Sequence, residues 1–142
     1  MKKEQQERKK QLHSVGSRAT PGRLEVLSVL EKADRPLNVE EIKKRLKGDS
    51  LDQATVYRII NALRDGGLIR QIDFLKTHAY FELSDKHDHH HLICVQCQKI
   101  EDFTGCNFQS IVQKALKNSK QFKTVTQHSL ELFGLCNTCS KK

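Results

Sequence analysis

Residues 52–83 read DQATVYRIINALRDGGLIRQIDFLKTHAYFEL, and this stretch decides how the first half of the chain folds. From Asp52 onward, Val56, Ile59, Ile60 and Leu63 recur on one face of a helix, while Gln53, Tyr57, Arg58, Asn61 and Arg64 fall mostly on the other. Gly66 and Gly67 end the helix, since glycine accepts the backbone conformations that close a last turn. Behind them, Leu68–Phe74 and His78–Leu83 are rich in Ile, Phe and Tyr and are separated only by residues 75–77. Two such stretches predict a β-hairpin. Upstream, Asn38 with Glu41 three residues later has the form of a capping box, and Ile42 and Leu46 follow before Gly48. Further back, Thr20 and Pro21 start a helix that carries Leu24, Val26, Leu27 and Leu30 at helical spacing. Three helices followed by a hairpin is the order of a winged helix-turn-helix, in which the last helix enters the major groove of DNA. Residues 1–19 are polar and charged, and fit either a solvated tail or a short basic helix lying along a phosphate backbone.

The pattern changes after residue 84. Residues 85–91 are polar and read as a hinge. His91–Val95 is then a short strand candidate ending in Cys94-x-x-Cys97. Phe108, Ile111, Val112, Ala115 and Leu116 mark a helix, Phe122–Phe133 is rich in strand formers, and Gly134 turns the chain into Cys136-x-x-Cys139. The chain is therefore expected to be α+β, with one domain over 1–84, a hinge over 85–91 and a second, smaller domain over 92–142.

The 142 residues include 37% hydrophobic ones and no Trp, with a mean hydropathy of -0.62. Two small units of such composition need a staple, for which a metal site would serve. No apolar run approaches the ~18 residues of a membrane span, and the basic start has no apolar segment behind it. These features predict a cytoplasmic protein with no membrane partner. In a reducing compartment, five cysteines, an odd number, favour metal ligation over disulfides. The net charge is +8, with 17 Lys and Arg against 12 Asp and Glu in residues 1–84 and 8 against 5 beyond. Four thiolates and one zinc ion would lower it to about +6. The remaining excess favours a polyanion, though charge alone predicts only nonspecific attraction.

Cys94, Cys97, Cys136 and Cys139 form two CxxC pairs, a spacing that lets the sulfurs of each pair turn toward one ion and the two pairs complete a tetrahedron. Such a zinc site is structural, because four thiolates leave no open position for substrate. A redox dithiol is the competing reading, but neither pair opens a helix after a strand as those motifs do. Cys106 stands outside the pairs and reads as a buried free thiol. The run His87-Asp88-His89-His90-His91 precedes the first pair, and in extended backbone His87, His89 and His91 share one side while Asp88 and His90 share the other. Two metal sites could share this strand, although a histidine cluster also occurs as a plain polar hinge.

The segments ATPGRLEVL, QATVYRIINAL, YFEL, HHLICVQCQKIEDF and HSLELFGLCNTC together resemble, in order, the ferric uptake regulator family, over nearly the whole chain after residue 15. The resemblance implies a homodimeric, metal-responsive transcriptional repressor of iron or zinc uptake genes. Its second domain would dimerise around a structural Zn2+, and it would bind double-stranded DNA at a palindromic operator. It further implies a regulatory divalent metal, Fe2+ or Zn2+, held by Glu82, His89, His91 and Asp102. An additional metal site would draw on His87, Asp88, His90 and His128, but Gln109 stands where many members carry Glu. A histidine that many members carry before the second helix is replaced here by Pro36, which offers no ligand. DNA contact would fall to Gln53, Thr55, Tyr57, Arg58 and Asn61 of the third helix, with Arg18 and Arg23 on phosphates.

No enzymatic activity and no small organic substrate are expected. The chain lacks the H-x-E and P-C-x-x-C elements of zinc deaminases and the H-E-x-x-H of zinc proteases. A redox or metal-carrier protein would explain the cysteines and histidines but leave the Tyr57 and Arg58 helix without a purpose.

Overall fold

The computed structural model describes every residue except 1, 49–50, 75–77, 86–88, 127, 129 and 142. The chain divides into two compact units, Met1–Lys86 and His87–Lys142. The first contains α1 (Lys2–Ser14), α2 (Pro21–Lys32), α3 (Val39–Arg45), α4 (Gln53–Asp65), β1 (Ile69–Phe74) and β2 (His78–Leu83). The second contains β3 (His90–Cys94), β4 (Ile100–Phe103), α5 (Phe108–Asn118) and β5 (Glu131–Gly134), and ends in a single 3-10 turn at Cys139–Lys141.

The helix starts follow their capping residues. Thr20 accepts a hydrogen bond from the Arg23 backbone N–H, with Pro21 in the first turn of α2. Asn38 and Glu41 complete the reciprocal capping box of α3 at 2.8 and 3.0 Å. Asp52 caps α4 through the Thr55 N–H at 2.7 Å. Val26, Leu27 and Leu30 of α2, Ile42 of α3, and Val56, Ile60 and Leu63 of α4 then bury completely around one core. Ile69 and Leu83 close that core from the hairpin, which pairs antiparallel with Ile69 opposite Leu83. A backbone bridge between Leu37 and Phe81, at 2.8 and 3.0 Å, ties the entry to α3 onto β2. This is the winged helix-turn-helix predicted from the pattern.

Residues 2–19 are not a solvated tail. Leu12 of α1 is fully buried, and Arg8 reaches Glu31 at 3.1 Å and Asp85 at 2.9 Å. These contacts dock α1 on its own unit.

In the second unit β3 lies between its neighbours, antiparallel to β4 and parallel to β5, with α5 in the connection that returns the chain. Two expectations are corrected. His90, read as hinge, belongs to β3, which begins one residue before the expected strand start at His91, and both histidines are buried. Among its described residues, the strand-forming stretch Phe122–Phe133 enters a strand only at the short β5, and Phe122 is 69% exposed. Phe122 and Val125 fall on opposite faces of an extended chain with Lys123 and Thr124 between them, so the first half of the stretch has no apolar face to bury. No residue of α5 is buried, although its apolar stripe is regular. Among the described residues, no helix is long and apolar enough to cross a membrane.

Candidate metal centres and the exposed face of the third predicted helix

The register of the second unit assembles the cysteine quartet. Cys94 at the end of β3 pairs with Gly134 at the end of β5, so the two segments that follow leave the sheet side by side. Cys94, Cys97, Cys136 and Cys139 then present their sulfurs within 4.8 Å of one another. The Cys97 and Cys136 Sγ atoms are 3.7 Å apart, against the roughly 3.8 Å edge of a tetrahedron with Zn–S bonds of about 2.3 Å. The backbone N–H groups of Cys97 and Cys136 donate to Cys94 Sγ and hold its thiol down to about 6, and the Cys139 N–H lowers Cys136 in the same way. Burial pushes Cys139 up to about 12. The first knuckle is thus biased toward the thiolate that an ion needs, while Cys139 loses its proton to solvent as the metal binds. The residues fit structural zinc.

The turn inside the first knuckle has a cost. Gln98 adopts φ +63°, its N–H donating to Cys94 O at 2.9 Å, a left-handed conformation that side chains other than glycine rarely take. Gln98→Gly should relieve it and stabilise the zinc-loaded unit by up to about 1 kcal/mol. Thermal unfolding followed by circular dichroism would register a higher midpoint.

Of the four residues expected to hold the regulatory ion, Glu82 lies in the first unit and the others in the second. His91 sits directly opposite Asp102 in the β3–β4 ladder, and their Nε2 and Oδ1 atoms are 3.5 Å apart. His89, one step before β3, brings Nε2 to 4.0 Å from Asp102 Oδ2. Two imidazoles and a carboxylate therefore share one side of β3, as the alternation of extended backbone requires. Glu82 is 1% exposed and faces Arg70 across the hairpin, accepting from its Nε at 2.6 Å. A carboxylate so buried needs a cation; Arg70 supplies one here, and an ion taking Glu82 would share it.

On the other side of β3, His90 faces His128, Nε2 to Nε2, at 3.1 Å. Burial, and then the neighbouring His128, hold His90 below the ordinary imidazole range, toward the neutral form that ligates metals. Cys106 is half-buried beside this pair rather than enclosed as a free thiol, and the three donor atoms lie within 4.8 Å of one another. Sequence reasoning missed it because nothing in the spacing links Cys106 to His90. Of the other residues expected at an additional site, His87 and Asp88 lie outside the described residues, and Gln109 is exposed.

On α4, the apolar face is buried while Gln53, Tyr57, Arg58 and Asn61 are exposed, Tyr57 by 46%. Thr55 is partly covered, and its N–H is taken by the Asp52 cap. Arg18 is exposed, but Arg23 spends its guanidinium on Ser17 Oγ at 2.7 Å and Arg18 O at 3.0 Å. Arg23 thus shapes the segment before α2 and is less available to a phosphate than Arg18.

The sequence matches the ferric uptake regulator family over residues 14–133. It is 35% identical to the ferric uptake regulation protein of Legionella pneumophila over 136 residues, spanning 94% of this chain and 98% of that one. Among solved structures, the Vibrio cholerae ferric uptake regulator superposes with a TM-score of 0.77 at 32% identity, covering 91% of this chain and 99% of the other. The Helicobacter pylori regulator, described as having three functional metal binding sites, gives a TM-score of 0.80 at 28% identity over 99% of this chain and 94% of its own.

Proposed function

The chain belongs to the ferric uptake regulator family, and on that premise we propose that a divalent ion held by Glu82, His89, His91 and Asp102 switches it onto DNA. As a member, it is a metal-responsive, dimeric, DNA-binding transcription regulator and not an enzyme. The finer reading is that it represses metal-uptake genes when the ion is abundant. Supporting it above all is the cross-strand pair His91 and Asp102, with His89 beside it, on one side of β3. An ion that takes ligands from both units favours one arrangement of the DNA-reading unit over others, and it does so only by the difference in its affinity for them.

The surfaces agree with this role. Tyr57, Arg58 and Asn61 lie on the open face of α4, where Arg58 can fork onto guanine or phosphate and Tyr57 can pack on thymine methyls. Ile111 of α5 and Leu132 and Phe133 of β5 are 44–56% exposed, an apolar surface suited to a second copy of the chain. A thiolate zinc site and a DNA ligand support a cytoplasmic location.

Imidazole and carboxylate ligands suit iron(II), manganese(II) and zinc(II) alike, so the signal is identified by titration. Fluorescence anisotropy with palindromic operator DNA, structural zinc retained, should show binding tightened roughly 5- to 150-fold by one of these ions, added without oxygen at buffered concentrations. Arg58→Ala should weaken the metal-loaded complex by about 1–3 kcal/mol. No tightening with any of the three ions would refute the switch.

A further inference from the structure

We propose that His90, Cys106 and His128 form a mixed imidazole and thiolate site that takes zinc(II) in preference to iron(II) or manganese(II). The resemblance assigns no role to Cys106, and the residue set it implies for an additional site contains only imidazole and carboxylate. The chain departs from that set twice: a neutral amide stands at Gln109, exposed to solvent, and a cysteine lies beside the two histidines. Such a change of donor alters the ion that binds.

Three separate elements deliver the three donors. His90 projects from β3, His128 lies in the segment leading to β5, and Cys106 precedes the cap of α5. The turn into Cys106 depends on Gly105, whose φ of +93° suits glycine. Aromatic rings fix both imidazoles. Phe108 stacks on His128 with ring centres 3.8 Å apart and planes 19° from parallel, and Phe103, opposite His90 in the ladder, packs against it at 5.4 Å. The two Nε2 atoms face each other at 3.1 Å, close to the roughly 3.3 Å edge that two ligands of one tetrahedral zinc share at Zn–N bonds of about 2.0–2.1 Å. Cys106 Sγ lies within 4.8 Å of a ring nitrogen of each histidine. Binding would draw it to about 3.5 Å, with Zn–S formed as the thiol proton leaves to solvent and a fourth position left for water. Thiolate favours a softer ion than carboxylate does, and zinc stands above iron(II) and manganese(II) in affinity for nitrogen and sulfur donors.

The test uses the full chain with its cysteine quartet already zinc-loaded, verified by elemental analysis. Alkylation of Cys106 by N-ethylmaleimide would be followed by peptide mass at buffered free zinc and, separately, at the same free manganese(II) and iron(II). At a free zinc concentration about ten times its dissociation constant or more, zinc should slow the reaction at least about tenfold, since only the metal-free thiol reacts; the other two ions should not. Cys106→Ser should lose one equivalent of bound zinc at a free concentration that saturates the unsubstituted chain, and His128→Ala should lose the protection. Unchanged alkylation would mean that the histidines only hydrogen-bond each other, and would overturn the proposal. So would full zinc retention by Cys106→Ser, or equal protection by manganese(II). The alkylation arm needs no variant to fold. Because His89, His91 and Asp102 are untouched, failure here leaves the proposed switch standing.

Discussion

Cys97→Ser is expected to unfold the unit His87–Lys142 and to abolish dimer formation and operator binding with it. The reason is how little else holds that unit. Among its described residues only Ile93, Cys94 and Cys139, with His90 and His91, are buried; α5 contributes none. The first unit, in contrast, closes sixteen buried apolar residues into one cluster. A small unit with so thin a core gains a few kcal/mol at best from packing. Zinc in a four-cysteine site contributes on the order of 10–16 kcal/mol at neutral pH, so the ion decides whether the unit folds. The position of the site adds to its effect, since it joins the ends of β3 and β5, and the sheet would fray from that end. Serine keeps the shape of Cys97 but supplies no thiolate. Elemental analysis, size-exclusion chromatography and far-ultraviolet circular dichroism on the variant would check the outcome: loss of zinc, of the dimer, and of signal from the second unit while α2 to α4 persist. A folded dimer without zinc would show that apolar contact between copies suffices and that the quartet is not the staple.

The same contrast explains which parts of the fold were legible in the sequence. The helices of the first unit were plain because their apolar residues fall at 3.6-residue spacing between strong caps at Thr20, Asn38 and Asp52, and local and tertiary preferences agree. The quartet was plain because CxxC spacing is itself a geometric statement. β4 was not identified as a strand: Ile100, Glu101, Asp102 and Phe103 have two charges in four residues, and only pairing with β3 makes them extended. That strand nevertheless carries the carboxylate opposite His91. The histidine run looked like a hinge because its side chains are polar. His90 and His91 are buried all the same, since Phe103, His128 and Asp102 supply partners that composition does not reveal. Cys106 was hidden for a different reason: its neighbours come from residues far away in the chain, and no spacing rule connects them.

His89→Ala is expected to leave the fold and the structural zinc intact while removing most of the metal dependence of operator binding. The choice of residue matters. His91 is in β3, buried and opposite Asp102, so truncating it would open a cavity and leave a carboxylate without its neighbour, confusing a loss of switching with a loss of stability. His89 precedes the strand, and its imidazole lies edge-on to that of His91, ring centres 4.9 Å apart, with Nε2 4.0 Å from Asp102 Oδ2. Removing it subtracts a ligand and leaves the ladder pair of His91 and Asp102 in place. Where Pro36 replaces a possible histidine ligand, four donors remain for the regulatory ion, and losing one of four leaves too few protein ligands to compete with water at low free metal. Coupling between two ligands of one protein is typically about 1–3 kcal/mol, or roughly 5- to 150-fold in affinity. The unsubstituted chain should show a tightening of that size when the ion is added, and His89→Ala should show almost none. Its affinity without added metal should be unchanged, because the face of α4 that meets DNA is untouched. Reciprocity adds an independent check: operator DNA should tighten metal binding by the same factor in the unsubstituted chain and not in the variant. If His89→Ala kept the full metal response, the ion that gates DNA binding would have to sit elsewhere, with the His90 and His128 pair the next place to look.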